Sequence, residues 1–242
     1  MRAQTRHQLK QDRFAEATGE TVQWAVQHRN KIIMIAAVVA IVGAAALGSW
    51  YYEQNQDAAA SADLGKAMST YTSALRPPDT PADPQFPSYT SNQERAKAAQ
   101  AEFQAVVDKY RHTHSANIAR YFVGLTNIDL GDNAAAERNL KQVADTRNND
   151  VSALAKLALA TVYHETNRDP QAIELYKQLI SRPTQTVSKA RAQLELASLY
   201  QAKDPQEARR LYEQISKDNP NTPAAQIANM HMQQLKQGPS LP

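Results

Sequence analysis

The chain has 242 residues and no cysteine, which excludes disulfides, thiolate metal sites and cysteine nucleophiles. Its net charge of +3 lies wholly in residues 1–31, where six Lys or Arg face three Asp or Glu, whereas from Glu53 onward there are 21 of each sign. No basic excess is left there to neutralise a phosphate backbone, so nucleic acid is excluded as a partner.

Residues 1–31 read as a polar cytoplasmic segment with a weak helical face of Leu9, Phe14, Ala17 and Val22. Residues 32–52 follow, 21 in a row without a charge. As a helix they span roughly 30 Å, the thickness of a bilayer core. Trp50, Tyr51 and Tyr52 close the run with interfacial aromatics. Arg29 and Lys31 precede it and Glu53, Asp57 and Asp63 follow, which points the N-terminus to the cytoplasm and the rest outward. The preferred reading is a signal-anchor helix. A cleaved signal peptide is the alternative, with Ala58, Ala60 and Ala62 as an exit motif, although 31 residues containing Glu16 and Glu20 stand before the run. Ala36, Ala40, Ala44 and Gly48 recur every four residues, the spacing at which membrane helices approach each other. Half of the segment is small, so a stripe arising by composition alone stays open.

Residues 53–237 are expected to form one helical domain. A helix over 61–75 turns Leu64, Ala67 and Tyr71 inward, and a second opens at Ser91 and Glu94, which stand at capping-box spacing, with Ala99, Phe103, Val106 and Tyr110 inward. Between them the segment 76–91 holds five of the twelve prolines, which forbids a helix and predicts an extended, semi-rigid connection. It reads as an exposed insertion in the first repeat, or as a proline-rich ligand for a partner.

A pattern of small and large residues then occurs three times. Ala119, Tyr121, Val123, Gly124, Asn127, Gly131, Ala136, Leu140 and Val143 form the first copy. Ala155, Leu157, Leu159, Ala160, Tyr163, Asn167, Ala172, Tyr176 and Leu179 take the same steps 36 residues later. In the third copy Ala192, Leu194, Leu196, Ala197 and Tyr200 follow after 37 residues, then Ala208, Tyr212 and Ile215 after 36, so its inter-helix turn is one residue shorter. Self-similarity at this period means stacked helix pairs, each needing its neighbour to complete a core. Thr222 and Pro223 start a last amphipathic helix, with Ala225, Ile227, Met230 and Leu235 as its apolar face, before Gly238 and a disordered tail, 238–242. The fold class is therefore all-α: one N-terminal membrane helix followed by a helical-hairpin solenoid.

Gly124, Gly131, Ala136 and Leu140 sit at the intervals of the tetratricopeptide pattern, and Ala160, Tyr163, Ala172 and Tyr176 repeat most of it. The chain thus resembles tetratricopeptide repeat proteins, departing from them where Arg120, Lys156 and Gln193 replace the leading aromatic. Its whole architecture is similar to membrane-anchored members, among them the ancillary subunit of the bacterial Sec translocon. The resemblance implies that the first helix of each pair lines a concave face that binds proteins. Carried over step by step, that face holds Ile118, Tyr121, Leu125, Ile128 and Asp129, then Leu154, Leu157, Thr161, His164 and Glu165, then Arg191, Leu194, Ser198, Gln201 and Ala202. Leu157 and Leu194 read equally well as packing residues of a tight superhelix.

For chemistry the sequence offers little. His112 and His114 stand near a helix end, where a histidine complements the helix C-terminus more often than it binds metal, and His164 lacks the HExxH context. There is no GxSxG and no phosphate-cradling glycine loop. No cofactor, metal or catalytic residue is expected. The expected function is a non-enzymatic adaptor of the bacterial inner membrane, with its repeats in the periplasm. Its expected partners are translocon components, periplasmic chaperones or exported chains, and its expected task is the handover of exported proteins. The alternative is a structural scaffold subunit of a cell-envelope assembly, in division or cell-wall synthesis.

Overall fold

The computed structural model describes residues 28–81 and 88–237; most of the expected cytoplasmic segment, the middle of the proline-rich insertion and the tail lie outside them. Two compact units are present, residues 1–55 and 56–242. Every named element among the described residues is a helix.

Helix α1 runs unbroken over Arg29–Tyr71, so the separate helix expected over 61–75 is corrected: it continues the helix that carries the apolar run 32–52. The physical reason lies between the two: residues 53–60 are Glu, two Gln, Asn, Asp and three Ala, with no Gly or Pro to stop propagation. The helix ends at Tyr71 rather than at residue 75. There Thr72 and Ser73 turn back through their backbone and hydroxyl groups onto the Met68 and Thr70 carbonyls. In the first unit its apolar stretch is exposed, Val39 to 64 % and Ile41 to 69 %.

The second unit is an array of antiparallel helix pairs. Its elements are α2 (Asn92–Lys109), α3 (His114–Asp129), α4 (Asn133–Ala144), α5 (Asn149–Glu165), α6 (Asp169–Ser181), α7 (Lys189–Lys203), α8 (Pro205–Asp218) and α9 (Pro223–Gln237). From α2 onward each helix packs on the next, and first helices of successive pairs also meet, α3 with α5 and α7 with α9. Side-chain caps open most of them, Thr113 for α3, Asp132 for α4, Asn148 for α5, Ser188 for α7 and Asp204 for α8. The Ser91 hydroxyl accepts from the Glu94 N–H as its spacing predicts. Glu94 closes the box one residue early, however, accepting from the backbone and hydroxyl of Thr90 instead of from the Ser91 N–H.

The ladder of small residues does the work expected of it. A Cβ at Gly124 would stand 2.6 Å from Leu140 Cδ2, so α3 and α4 close to a distance that only glycine permits. Ala136, Ala160, Ala172, Ala197 and Ala208 are all fully buried. The turns repeat as well. Gly131 and Asn167 both hold positive φ, at 79° and 59°. The shorter third turn lacks that residue, and Asp204 alone both ends α7 and caps α8.

Two apolar clusters result. One joins Ala60 and Ala67 of α1 to Phe103, Val106, Ala119 and Val123, with Phe103 and Phe122 stacked at 5.0 Å and Tyr71 set edge-on to both. The larger one runs from Ala136 to Ala228.

The ends of the proline-rich connection meet, where Arg76 N–H donates to the Tyr89 carbonyl at 2.9 Å and Leu75 bridges Tyr89; residues 82–87 between them lie outside the described residues. Two further expectations are corrected. His114 begins α3 rather than standing at a helix end, and its Nδ1 lies 3.1 Å from the Asn148 amide. On α9 the packed face is Ala225, Ala228, Met232 and Leu235, whereas Ile227 and Met230 are exposed.

Candidate protein-binding surface

The first helices α3, α5 and α7 present equivalent positions in rows, each separated by 36 and then 37 residues. The outcome differs row by row. Tyr121, Leu157 and Leu194 are half-buried and pack onto the larger cluster, as do Ile118, Leu154 and Ile128. Burial pushes the Tyr121 phenol up in pKa. Leu125 is half-buried, while Thr161 and Ser198 are exposed. The face therefore changes along the array, apolar in the first copy and hydroxylic or charged in the third.

Several polar positions already have partners. His164 Nδ1 lies 2.6 Å from Asp169 Oδ1, across the α5–α6 turn. Asp169 is buried and also pairs with Lys203 of α7. Lys203, then His164, hold its carboxyl below the usual carboxylate range. Arg191 pairs with Glu195 one turn on, at 2.8 Å. The Gln201 amide meets His231 Nδ1 at 3.1 Å, and the His231 ring stacks on buried Tyr212, so α9 covers the end of the third row. Asp129 accepts from the Tyr71 hydroxyl; burial, then this carboxylate, raises the Tyr71 pKa to about 12. Glu165 and Ala202 are exposed.

Charged stitches hold neighbouring pairs in register. Glu137 of α4 accepts from Arg168 at 2.7 Å and from Lys141 at 2.6 Å, and the Arg168 guanidinium lies 4.5 Å over the Tyr163 ring. Arg168, then Lys141, bring the Glu137 pKa down to about 2. On the buried side Asn127 donates to the Val123 carbonyl and accepts from Gln100, tying α2 to α3.

Among the described residues no three His, Asp or Glu side chains gather closely enough to hold a metal ion. Sequence reasoning saw Gln193 only as a departure from an aromatic position. In the structure it is 2 % exposed and its Oε1 meets no donor. The equivalent positions, Arg120 and Lys156, are charged and only half-buried, so the repeat itself gave no signal that Gln193 would be enclosed.

Stacked helical hairpins of this period, with small residues at the close approaches and no clustered reactive groups among the described residues, define a helical-repeat protein-interaction module. The family described as Tetratricopeptide repeat-like domain matches residues 23–178, and the Tetratricopeptide repeat family matches residues 191–222. The chain belongs to the tetratricopeptide repeat-like family. No curated protein and no solved structure matches it significantly.

Proposed function

We propose that the chain is a single-pass protein of the bacterial inner membrane that holds its repeat unit in the periplasm as a non-enzymatic adaptor for exported proteins at the Sec translocon. The observation that carries the membrane part is the exposed apolar stretch of α1, the one described helix long and apolar enough to cross a membrane. Burying such a run in lipid removes from water the side chains of Ile33, Ile35, Val38, Val39, Ile41, Val42 and Leu47, all of them exposed. Arg29 and Lys31 at its start support a cytoplasmic N-terminus.

The binding part rests on the first-helix face. Its apolar end, Tyr121, Leu125 and Ile128, suits the side chains of an unfolded segment, and its hydroxylic end, Thr161 and Ser198, suits backbone groups. Photoreactive residues at Leu125 and Thr161, introduced into the native membrane protein, should trap translocon subunits, periplasmic chaperones or exported chains. Exclusive labelling of cytoplasmic proteins would refute the topology, and no labelling by either position would refute the face.

A second reading, a scaffold subunit of a cell-envelope assembly, is favoured by one feature. Ala36, Ala40, Ala44 and Gly48 are all exposed, and a Cβ built at Gly48 meets nothing within 4 Å. Replacing residues 32–52 by an unrelated membrane helix separates the two, because an adaptor keeps its partners and a scaffold assembled through this helix loses them.

A further inference from the structure

Between α6 and α8, floored by α7, lies a groove of about 580 Å³. It is on the side of the second helices and shares none of the row positions described above. Gln193 lines it, almost wholly buried, and its side-chain Oε1 has no hydrogen-bond donor among the described residues. At the same repeat step Arg120 and Lys156 are only half-buried and can reach water. A buried amide oxygen without a donor costs stability that an apolar residue of the same shape would not, and a donor supplied by a ligand would recover it. A primary amide offers an acceptor and a donor side by side, the complement of one peptide group.

The rim adds charge. Lys177 of α6, Lys189 of α7 and Arg210 of α8 line the groove with two carboxylates, Asp204 and Glu207. Both acids are committed: Asp204 caps α8, and Glu207 is held by Arg210 at 2.7 and 2.6 Å. Lys177 forms no ion pair among the described residues, and Lys189 has only Asp218 at 3.8 Å. Lys177 therefore stands without an ion pair among the described residues, and Lys189 with only a long one, above walls formed by Leu196 and Leu211. We infer that this groove binds an extended acidic peptide segment, with a backbone peptide group on the Gln193 amide and carboxylates against Lys177 and Lys189. A second peptide site on the opposite helix layer would let the protein hold a chain there while its first-helix face is engaged.

The test is fluorescence anisotropy on the full-length protein in detergent micelles, with a labelled peptide alternating Glu with Thr and Val, against a counterpart carrying Lys for Glu. The acidic peptide binds and the basic one does not. Gln193→Met and Lys177→Glu each weaken binding about ten-fold, the loss expected for one charge-assisted or paired contact. Arg138→Glu, the same charge change on exposed α4, leaves it intact. Equal binding of the two peptides, or no binding of either, overturns the proposal. So does unchanged affinity in Lys177→Glu, whose exposed side chain spares the core should Gln193→Met perturb folding. Loss of binding in Tyr121→Ala but not in Lys177→Glu would overturn the groove while leaving the adaptor reading in place.

Discussion

Gly65 and Gly124 are both helical, yet replacing each by alanine should move stability in opposite directions. A methyl at Gly65 meets nothing within 4 Å. Only helix propensity changes there, and Gly65→Ala should gain about 1 kcal/mol. At Gly124 the new Cβ would lie 2.6 Å from Leu140 Cδ2 and 2.7 Å from its Cγ. Leu140 is fully buried, and its Cγ, one bond from the Cβ, cannot swing clear without displacing α4. Overpacking of this kind costs about 1–3 kcal/mol, which offsets the same propensity gain and leaves a net loss of about 0–2 kcal/mol. The two variants should therefore differ by about 1–3 kcal/mol. In a unit of this size each kcal/mol moves the midpoint by about 2–4 °C. Thermal melts of the full-length protein in micelles, followed by far-UV circular dichroism, should show Gly65→Ala above the parent and Gly124→Ala at or below it. Leu140→Ala should cost less in the Gly124→Ala background than alone, since the added methyl occupies part of the vacated space. If Gly124→Ala stabilises as much as Gly65→Ala, α3 and α4 do not close at this point, and the role given to the small-residue ladder is refuted.

Phe103→Ala should cost about 3–5 kcal/mol, because it empties a fully buried site beneath Phe122 and Tyr71, and hydrogen exchange should rise first in α2 and α3. Glu137 has its pKa depressed from 4.5 to about 2, so its contribution is complete above the unfolded value and disappears as pH falls through about 2. Arg168→Met should accordingly be less stable than the parent at neutral pH in a denaturant melt, and the gap should narrow on acidification across that window. Asn167→Gly should be tolerated, whereas Asn167→Ala, forced to a φ of 59°, should lose about 1 kcal/mol in a denaturant melt. Gln193→Met should raise stability by about 1 kcal/mol by removing a buried amide oxygen without a donor, read as a higher denaturant midpoint at unchanged slope.

What could be read from the residues was whatever repeats. The steps of 36 and 37 place Gly124, Ala160 and Ala197 at equivalent close approaches, and the structure buries all three. Turn chemistry carried over too, since Gly131 and Asn167 are residue types that accept the left-handed region. The start of the first repeat was missed because hydropathy divides residues 29–71 into two parts while the backbone, finding no breaker, does not. The face of α9 was missed for a different reason: it is set by where α7 and α8 lie against it, so apolarity at Ile227 and Met230 does not imply burial. On the first-helix face the rows were legible, but their occupancy was not. His164 is engaged by Asp169 from the following turn and Gln201 by His231 of α9, pairings between residues whose separations do not follow the repeat.

The clasp at Arg76 and Tyr89 bears on how this family can vary and be altered. With the two ends of the proline-rich segment already joined, lengthening what lies between them adds only the slowly growing entropy of a longer loop. An epitope, a fluorescent protein or a whole second domain can therefore be grafted there while α1 and α2 keep their register. Residues 77–88 are the place where this chain can acquire new parts without renegotiating its core.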